Sequence, residues 1–278
     1  MCGLRLSSLW RMSERVSWVP EGVDTGKPSA ARLYDYLLGG GHNFAADRAL
    51  AERFLQAQPN ARTIARLNRA FLRRAVLFMM VNGIRQFLDL GSGIPTVGNV
   101  HEIAQTADAR ARVVYVDFEE VAVAHSQLIL EDHPNATIIQ EDMTQPAAVL
   151  AAARESGLVD FSQPVGVLTV GVFHFVPPQA DPRAVVAAYR DAVPEGSYLA
   201  FSQFTQDLQP EEMAGVVEVM KKSQNPMFPR TRSEIEGFLD GFEVVEPGIV
   251  PLPLWRPEGT NTDDPDKAGI YAVVGRKV

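Results

Sequence analysis

The sequence predicts an α/β fold built on a mostly parallel sheet, with a helical segment ahead of it. Three observations carry this. Apolar β-type runs recur at 86–90, 112–116, 137–140, 165–170 and 198–201. Helix-like stretches at 97–107, 121–131, 146–154 and 182–192 lie between them. A longer helical pattern precedes the first run. Strands alternating with helices connect by right-handed crossovers, which place them parallel and put helices on both sheet faces.

Taken in order, residues 1–27 are polar and turn-rich, the composition of a flexible arm. The rest, 28–278, reads as one domain, divided into a helical segment at 28–83 and an α/β core at 84–278. Pro28 and Ser29 suit a helix start, with Leu33, Tyr36 and Leu37 at helical spacing. Gly39, Gly40 and Gly41 stop that helix, because glycine accepts the left-handed conformation at a helix end. Asn43 is placed to cap a second helix. A third, beginning ARTIARLNRAFLRRAV, carries one apolar stripe and one arginine-rich face until Gly83 ends it. Within the core, VGVLTV is apolar at nearly every position, as a central strand buried on both faces would be. Helices are expected near 211–222 and 232–240, and final strands at 242–246 and 270–275. The connection 247–269 is long and rich in proline and acidic residues. Trp255, Arg256 and the acids at 263–266 make it either a binding loop at the sheet edge or an acidic surface loop.

Composition bounds the function. With 46% hydrophobic and 22% charged residues, the chain can bury a sizeable core. A net charge of −8 argues against a general binder of nucleic acid or anionic membrane. The single cysteine, Cys2, excludes an internal disulfide and a cysteine-based zinc site, and fits a reducing cytoplasm. No apolar run reaches the roughly 18 residues that span a bilayer, and the interrupted N-terminus does not read as a signal peptide. Arginine far outnumbers lysine, the usage of a GC-rich genome. His42, His101, His125 and His133 show no metal-ligand spacing, and no metal is expected.

The chemistry concentrates at strand ends. In FLDLGSGIPT, Asp89, Gly91, Ser92 and Gly93 join a strand to a helix, where glycines let backbone amides approach a ligand. Thr96 stands where a dinucleotide fingerprint would have its third glycine, so the turn alone is equally a tight strand–helix connection. Asp117 ends the second strand, placed to accept both hydroxyls of a ribose. As a strand-end acid it is expected near the surface, and the alternative role is to cap the next helix. Asp142, followed by Met143, lies just past the third strand, placed for an exocyclic amine such as that of adenine or for a simple Asp turn. Three acids ending successive strands of one sheet converge on one crevice. After the fourth strand, GVFHFVPP offers Phe173 and Phe175 as aromatic walls for a cationic sulfonium. His174 there is a general base or a residue that fills the turn. Ser202 and Gln203, after the fifth strand, can also face a substrate.

DLGSGIPT, VYVD and the EDM turn together resemble a class I S-adenosylmethionine-dependent methyltransferase. PSAARLYDYLLGGGHNFAADRALAE, LNRAFLRRAV, QFLDLGSGIPTVGNVHEIAQ and VGVFHFVPP resemble, more narrowly, a largely uncharacterised bacterial methyltransferase-like family, over about Trp18 to the C-terminus. The resemblance implies a Rossmann-like sheet of seven strands with the last antiparallel, and S-adenosylmethionine as cofactor. It implies that the segment holding Tyr34, Asp35 and Gly39–Phe44 packs over the cofactor as a partial lid, the alternative being two helices joined by a glycine turn. Arg69 would meet the methionine carboxylate or belong to a solvated helix face. One departure stands out: the family's acid after the second strand is followed by Asn-Asp-Pro, and here by Phe118, Glu119 and Glu120. Phe118 is placed to lie against the adenine. Met12-Ser13-Glu14 resembles the family's beginning, so the first 11 residues are expected to be dispensable. The expected function is methyl transfer to a small or medium-sized acceptor. The alternatives are a non-catalytic S-adenosylmethionine binder and, disfavoured by Thr96 and Asp142, a nicotinamide-dependent oxidoreductase.

Overall fold

The structure, a computed structural model, describes residues 19–96, 98–221, 223–259 and 264–278. The expectations for the first 11 residues and for a start at Met12 lie outside the described residues. In the part of the predicted arm that is described, Val23 packs against Ile94, Val121 and Ala122.

Three helices come first: α1 (Ala30–Leu38), α2 (Ala45–Ala57) and α3 (Ala61–Val81). Ser29 caps α1 by accepting from the Arg32 amide, and Gly39 ends it at φ 86°. Helix α2 is capped differently from the expectation for Asn43. Phe44 is its N-cap, and its amide donates to Asp47 Oδ2 at 2.7 Å. Asn43 turns back instead, its Nδ2 donating to Asp35 Oδ2.

The core then alternates: β1 (Gln86–Leu90), α4 (Val100–Ala107), β2 (Arg112–Asp117), α5 (Glu120–Leu130), β3 (Ala136–Gln140), α6 (Pro146–Glu155), β4 (Gly166–Val170), α7 (Pro182–Ala192) and β5 (Tyr198–Phe204). It closes with α8 (Pro210–Met220), α9 (Arg232–Phe238), β6 (Phe242–Val244), β7 (Val250–Pro251) and β8 (Ile270–Lys277). Helix α4 starts three residues later than expected. Asn99 and Glu102 form a reciprocal capping box, Glu102 Oε2 accepting from the Asn99 amide at 2.8 Å. Strand β5 runs on through Ser202 and Gln203, which therefore lie buried inside the sheet and not after it.

The eight-stranded sheet has the order β3-β2-β1-β4-β5-β8-β6, with β7 pairing β8. Strands β1 to β5 run parallel to one another, and β8 runs antiparallel to β5, β6 and β7. This is the Rossmann-like methyltransferase sheet, with the two-residue β7 added at its edge. Beneath one face Phe87, Val113 and Tyr115 pack on Phe71, Ala75 and Met79 of α3 and on α4. Beneath the other, Leu88, Val114 and Val167 pack on α6, α7 and α9. A third core joins α1, α2, the start of α3 and α8. Trp255, wholly buried, sets its ring edge-on to Phe71 and Phe78 of α3, and Arg74 donates to its carbonyl. Through Val250, Leu252 and Trp255 the last connection therefore packs on the core around α3, while residues 256–259 are exposed. Asp263 lies outside the described residues.

Candidate functional site

Chain order reverses between β1 and β4: the crossover from β1 leads to β2, whereas β4 returns to the other side of β1. Ligands of open α/β sheets bind outside the carboxyl ends of the strands at such a switch point. A cavity of about 950 Å³ opens there, floored by the strand-end loops and roofed by α1, α3 and the end of α8. It takes in Tyr34, Arg69, Gly91, Ser92, Gly93, Asp117, Phe118, Asp142, Met143 and His174 among the residues singled out in the sequence.

The glycine turn explains its own composition. Gly91 has φ +67°, and a Cβ there would sit 2.2 Å from Val172 Cγ2 on the loop after β4. A side chain would force the two loops of the switch point apart. A Cβ on Gly93 would meet nothing within 4 Å. The Gly93 amide donates to Asp117 Oδ2 at 2.7 Å, and the Glu119 amide to Asp117 Oδ1 at 2.9 Å. Each carboxylate oxygen retains a second lone pair for a ligand hydroxyl. Asp117 is only 6% exposed, so the expectation of a near-surface acid is corrected. Burial raises its carboxyl to about 6, against the pull of the two amides. The cap of α5 falls to Glu119, which accepts from the Ala122 amide at 2.7 Å.

Asp142 is exposed on the rim, where its Oδ1 accepts from the Thr144 amide at 2.8 Å in an Asp turn. Phe118, 58% exposed, stands beside it at the mouth. Asp89 does not join the other two acids in the cavity, which corrects the expected convergence of all three. It sits across from Tyr115 in the register, in a narrow cleft shared with Arg69, Ser92 and His101. Burial lifts its carboxyl to about 7 despite the Arg69 charge. Arg69 is held by the Gly98 carbonyl at 2.7 Å and borders both the cleft and the cavity. Tyr34 donates to the Ala65 carbonyl at 3.0 Å.

Beyond β4 two expectations change. Phe173 is wholly buried between Phe201 and Phe238, with ring centroids 5.4 and 6.3 Å away, so it belongs to the core and not to the cavity wall. The short turn of 3-10 helix over 173–175 directs neighbouring side chains differently, and Phe175 lines the cavity. His174 lines it too, buried, with Nδ1 lacking a hydrogen-bond partner. Burial and the nearby Arg230 charge lower its pKa to about 3. A general base works best with a pKa near the working pH, which His174 does not have.

Sequence reasoning missed three residues that organise the site. Asn68 accepts from Ser202 Oγ at 2.7 Å and reaches Tyr34 Oη with Nδ2 at 3.4 Å, tying α3 to β5 and α1. Its signal was a lone amide in the apolar stripe of α3. Arg32 is buried on α1 and donates to Asp47 Oδ2 at 2.9 Å and to Glu119 Oε1. Glu119, part of the departure after Asp117, thereby joins the strand-end acid to the helical roof.

The site fits an adenosyl ligand on three counts: a diol acceptor in Asp117, an open approach over Gly93, and Ser92 Oγ buried without a partner. A family model described as S-adenosyl methyltransferase matches residues 16–278. A DUF574 family protein from Streptomyces avermitilis is 35% identical, with a TM-score of 0.88 over 92% of this chain and 99% of its own. A proposed methyltransferase from Thermobifida fusca is 39% identical, with a TM-score of 0.89 over 94% of this chain and 99% of its own. None of the curated proteins compared matches the chain.

Proposed function

From the premise that the chain belongs to the S-adenosyl methyltransferase family, with S-adenosylmethionine as its cofactor, we propose how its own residues carry the reaction. Asp117 receives the ribose hydroxyls and Asp142, with Met143, the adenine edge. Phe118 lies against the adenine ring. Gly91, Ser92 and Gly93 let the backbone approach the nucleoside, and Arg69, close to Asp89 and Tyr34, receives the methionine carboxylate. The observation that carries this reading is the Gly93–Asp117 contact of 2.7 Å at the switch point, which aims a buried carboxylate over an open glycine.

When bound, the cofactor supplies a methyl group on a cationic sulfur, ready for in-line displacement. The protein's part is alignment and a dry pocket. His174, held neutral, accepts a hydrogen bond from the acceptor and orients it; the proton that the acceptor loses as the methyl bond forms passes to solvent rather than staying on His174. The acceptor is a small or medium-sized molecule, and methyl transfer to it would be an EC 2.1.1 activity. No helix among the described residues is long and apolar enough to cross a membrane. The single cysteine supports a place in the reducing cytoplasm.

Titration calorimetry tests the reading. S-adenosylhomocysteine should bind with far higher affinity than NAD, and comparable affinities would overturn the assignment of the crevice. Formation of S-adenosylhomocysteine from S-adenosylmethionine in a metabolite extract then reports turnover.

A further inference from the structure

The cavity is divided by charge along the strand order. Among the described residues, its charged walls lie on one side. Asp117, Glu119, Glu120, Glu141 and Asp142 follow β2 and β3. Arg69 is anchored to Gly98 after β1. Asp24, Lys27 and Arg32 come from the segment that packs on the start of α5. The other side, over β4, β5 and β8, carries Val170, Val172, Phe175, Val176, Phe204 and Ile270, with the neutral His174 as the titratable side chain among them. Its roof is mostly apolar, with Leu33 and Leu37 of α1, Phe54 of α2, Ile64 of α3, and Met220 and Met227 around α8; Tyr34, Asn68, Gln224 and Asn225 are its uncharged polar members.

Resting on the cofactor seat proposed above, we infer that the methyl acceptor is an uncharged, ring-bearing apolar small molecule, held over β4, β5 and β8 beneath α1, α2 and α8. A volume of about 950 Å³ stands near the top of the roughly 300–1,000 Å³ range of ligand pockets, leaving room beside the nucleoside end. No charged side chain among the described residues lines the apolar end: Arg230, behind His174, is buried and spends its guanidinium on the Phe173, Val176 and Phe228 carbonyls. A charged group taken from water without a partner costs several kcal/mol. A flat ring gains instead. Phe175 and Phe204 offer it aromatic contact, and the thioethers of Met220 and Met227 adapt to an irregular outline. The two phenylalanines are only partly buried although both pack with the roof core, so they retain surface for a ligand.

The full chain is titrated with the neutral fluorophore N-phenyl-1-naphthylamine and with its anionic relative 8-anilinonaphthalene-1-sulfonate, each without and with saturating S-adenosylhomocysteine. The neutral probe should bind saturably at one site, keep binding when S-adenosylhomocysteine is present, and outcompete the sulfonate by at least about tenfold. Ile64→Trp, which fills the apolar end, and Leu37→Asp, which charges it, should each weaken the neutral probe about tenfold or more and leave S-adenosylhomocysteine affinity unchanged. Equal or tighter binding of the sulfonate overturns the inference, as does displacement of the neutral probe by S-adenosylhomocysteine or failure of that probe to bind. The wild-type comparison decides this even where a variant does not fold. Failure of S-adenosylhomocysteine itself to bind is a different result: it overturns the cofactor seat, and the inference with it.

Discussion

Asp117 joins two functions that a strand-end acid more often keeps apart. Its carboxylate accepts the Gly93 and Glu119 amides and, in the proposed complex, the ribose hydroxyls as well. Asp117→Ala therefore removes the charged partner of the ligand and of two backbone donors together. Hydrogen bonds to a charged group contribute about 1.5–3 kcal/mol, so S-adenosylhomocysteine affinity should fall roughly tenfold to a few hundredfold. Burial adds a second effect, a loss of apo stability of about 1–3 kcal/mol from the amides left unpaired. Asp117→Asn keeps the shape and one acceptor oxygen, and should lose less of both. Calorimetry and denaturant unfolding on the two variants check this, and unchanged affinity in the alanine variant would remove Asp117 from the cofactor site. Asp117 and the glycine turn were legible because strand, acid and glycines stand in one short phrase. Phe173 was misread for lack of any local signal, since one turn of 3-10 helix decides which of two phenylalanines reaches the cavity.

Among the elements, α1 and α2 are fastened by one buried cation. Arg32 donates to Asp47 and Glu119 with side-chain exposures of 4%, 0% and 11%, and Asp47 also accepts the Ser29 and Phe44 amides. Removing one partner of a buried ion pair typically costs about 3–5 kcal/mol, because the other charge stays buried. Arg32→Ala should destabilise the chain by that order in urea unfolding. A loss below about 1 kcal/mol would mean that the amides around Asp47 hold the helices without the arginine. The same network reaches Asp117 through Glu119. If the helical segment acts as a lid, amide exchange over 34–44 should slow when S-adenosylhomocysteine binds. Protection confined to the strand ends would reduce the segment to a packing element. The capping box at Asn99–Glu102 is a reminder that element starts can be read locally: its N-x-x-E spacing was in the sequence, ahead of the helix it delayed to Val100.

For the whole molecule, buried titratable groups set opposing pH dependences. Asp89 and Asp117 titrate near 7 and 6 in the folded chain against an ordinary 3.8. Folding therefore favours their protonated forms, a contribution fully present below about pH 4 and lost as pH rises through 6 to 7. His174 works the other way. Its pKa falls from 6.5 to about 3, so its contribution is present above pH 6.5 and lost as pH falls toward 3. Asp89→Asn should then raise stability at pH 8 relative to pH 5 when compared with wild type, measured by unfolding at both values; an unchanged difference would mean that Asp89 is already ionised in the apo protein. Cofactor affinity should weaken as pH drops through about 6, where Asp117 takes up its proton, and Asp117→Asn should flatten that profile.

The sequence by itself determined the alternation of strands and helices, the parallel pairing, the helix stop at Gly39 and two of the strand-end acids at the crevice, Asp117 and Asp142. All of these rest on periodicity, backbone conformation and short spacing, which neighbours in the chain decide. Tertiary structure alone decided the rest. The two-residue β7 has too little sequence to show a period and exists through its pairing with β8. The pairing of Arg32 with Glu119 closes across 87 residues, and that of Asn68 with Ser202 across 134. Long-range partners leave no periodic trace in a single sequence, because each end looks locally like an ordinary polar residue on a helix or strand. The same holds for the division of the cavity into a charged and an apolar half. It follows from the strand order, which brings β4, β5 and β8 to one side of β1 and the acids of β2 and β3 to the other.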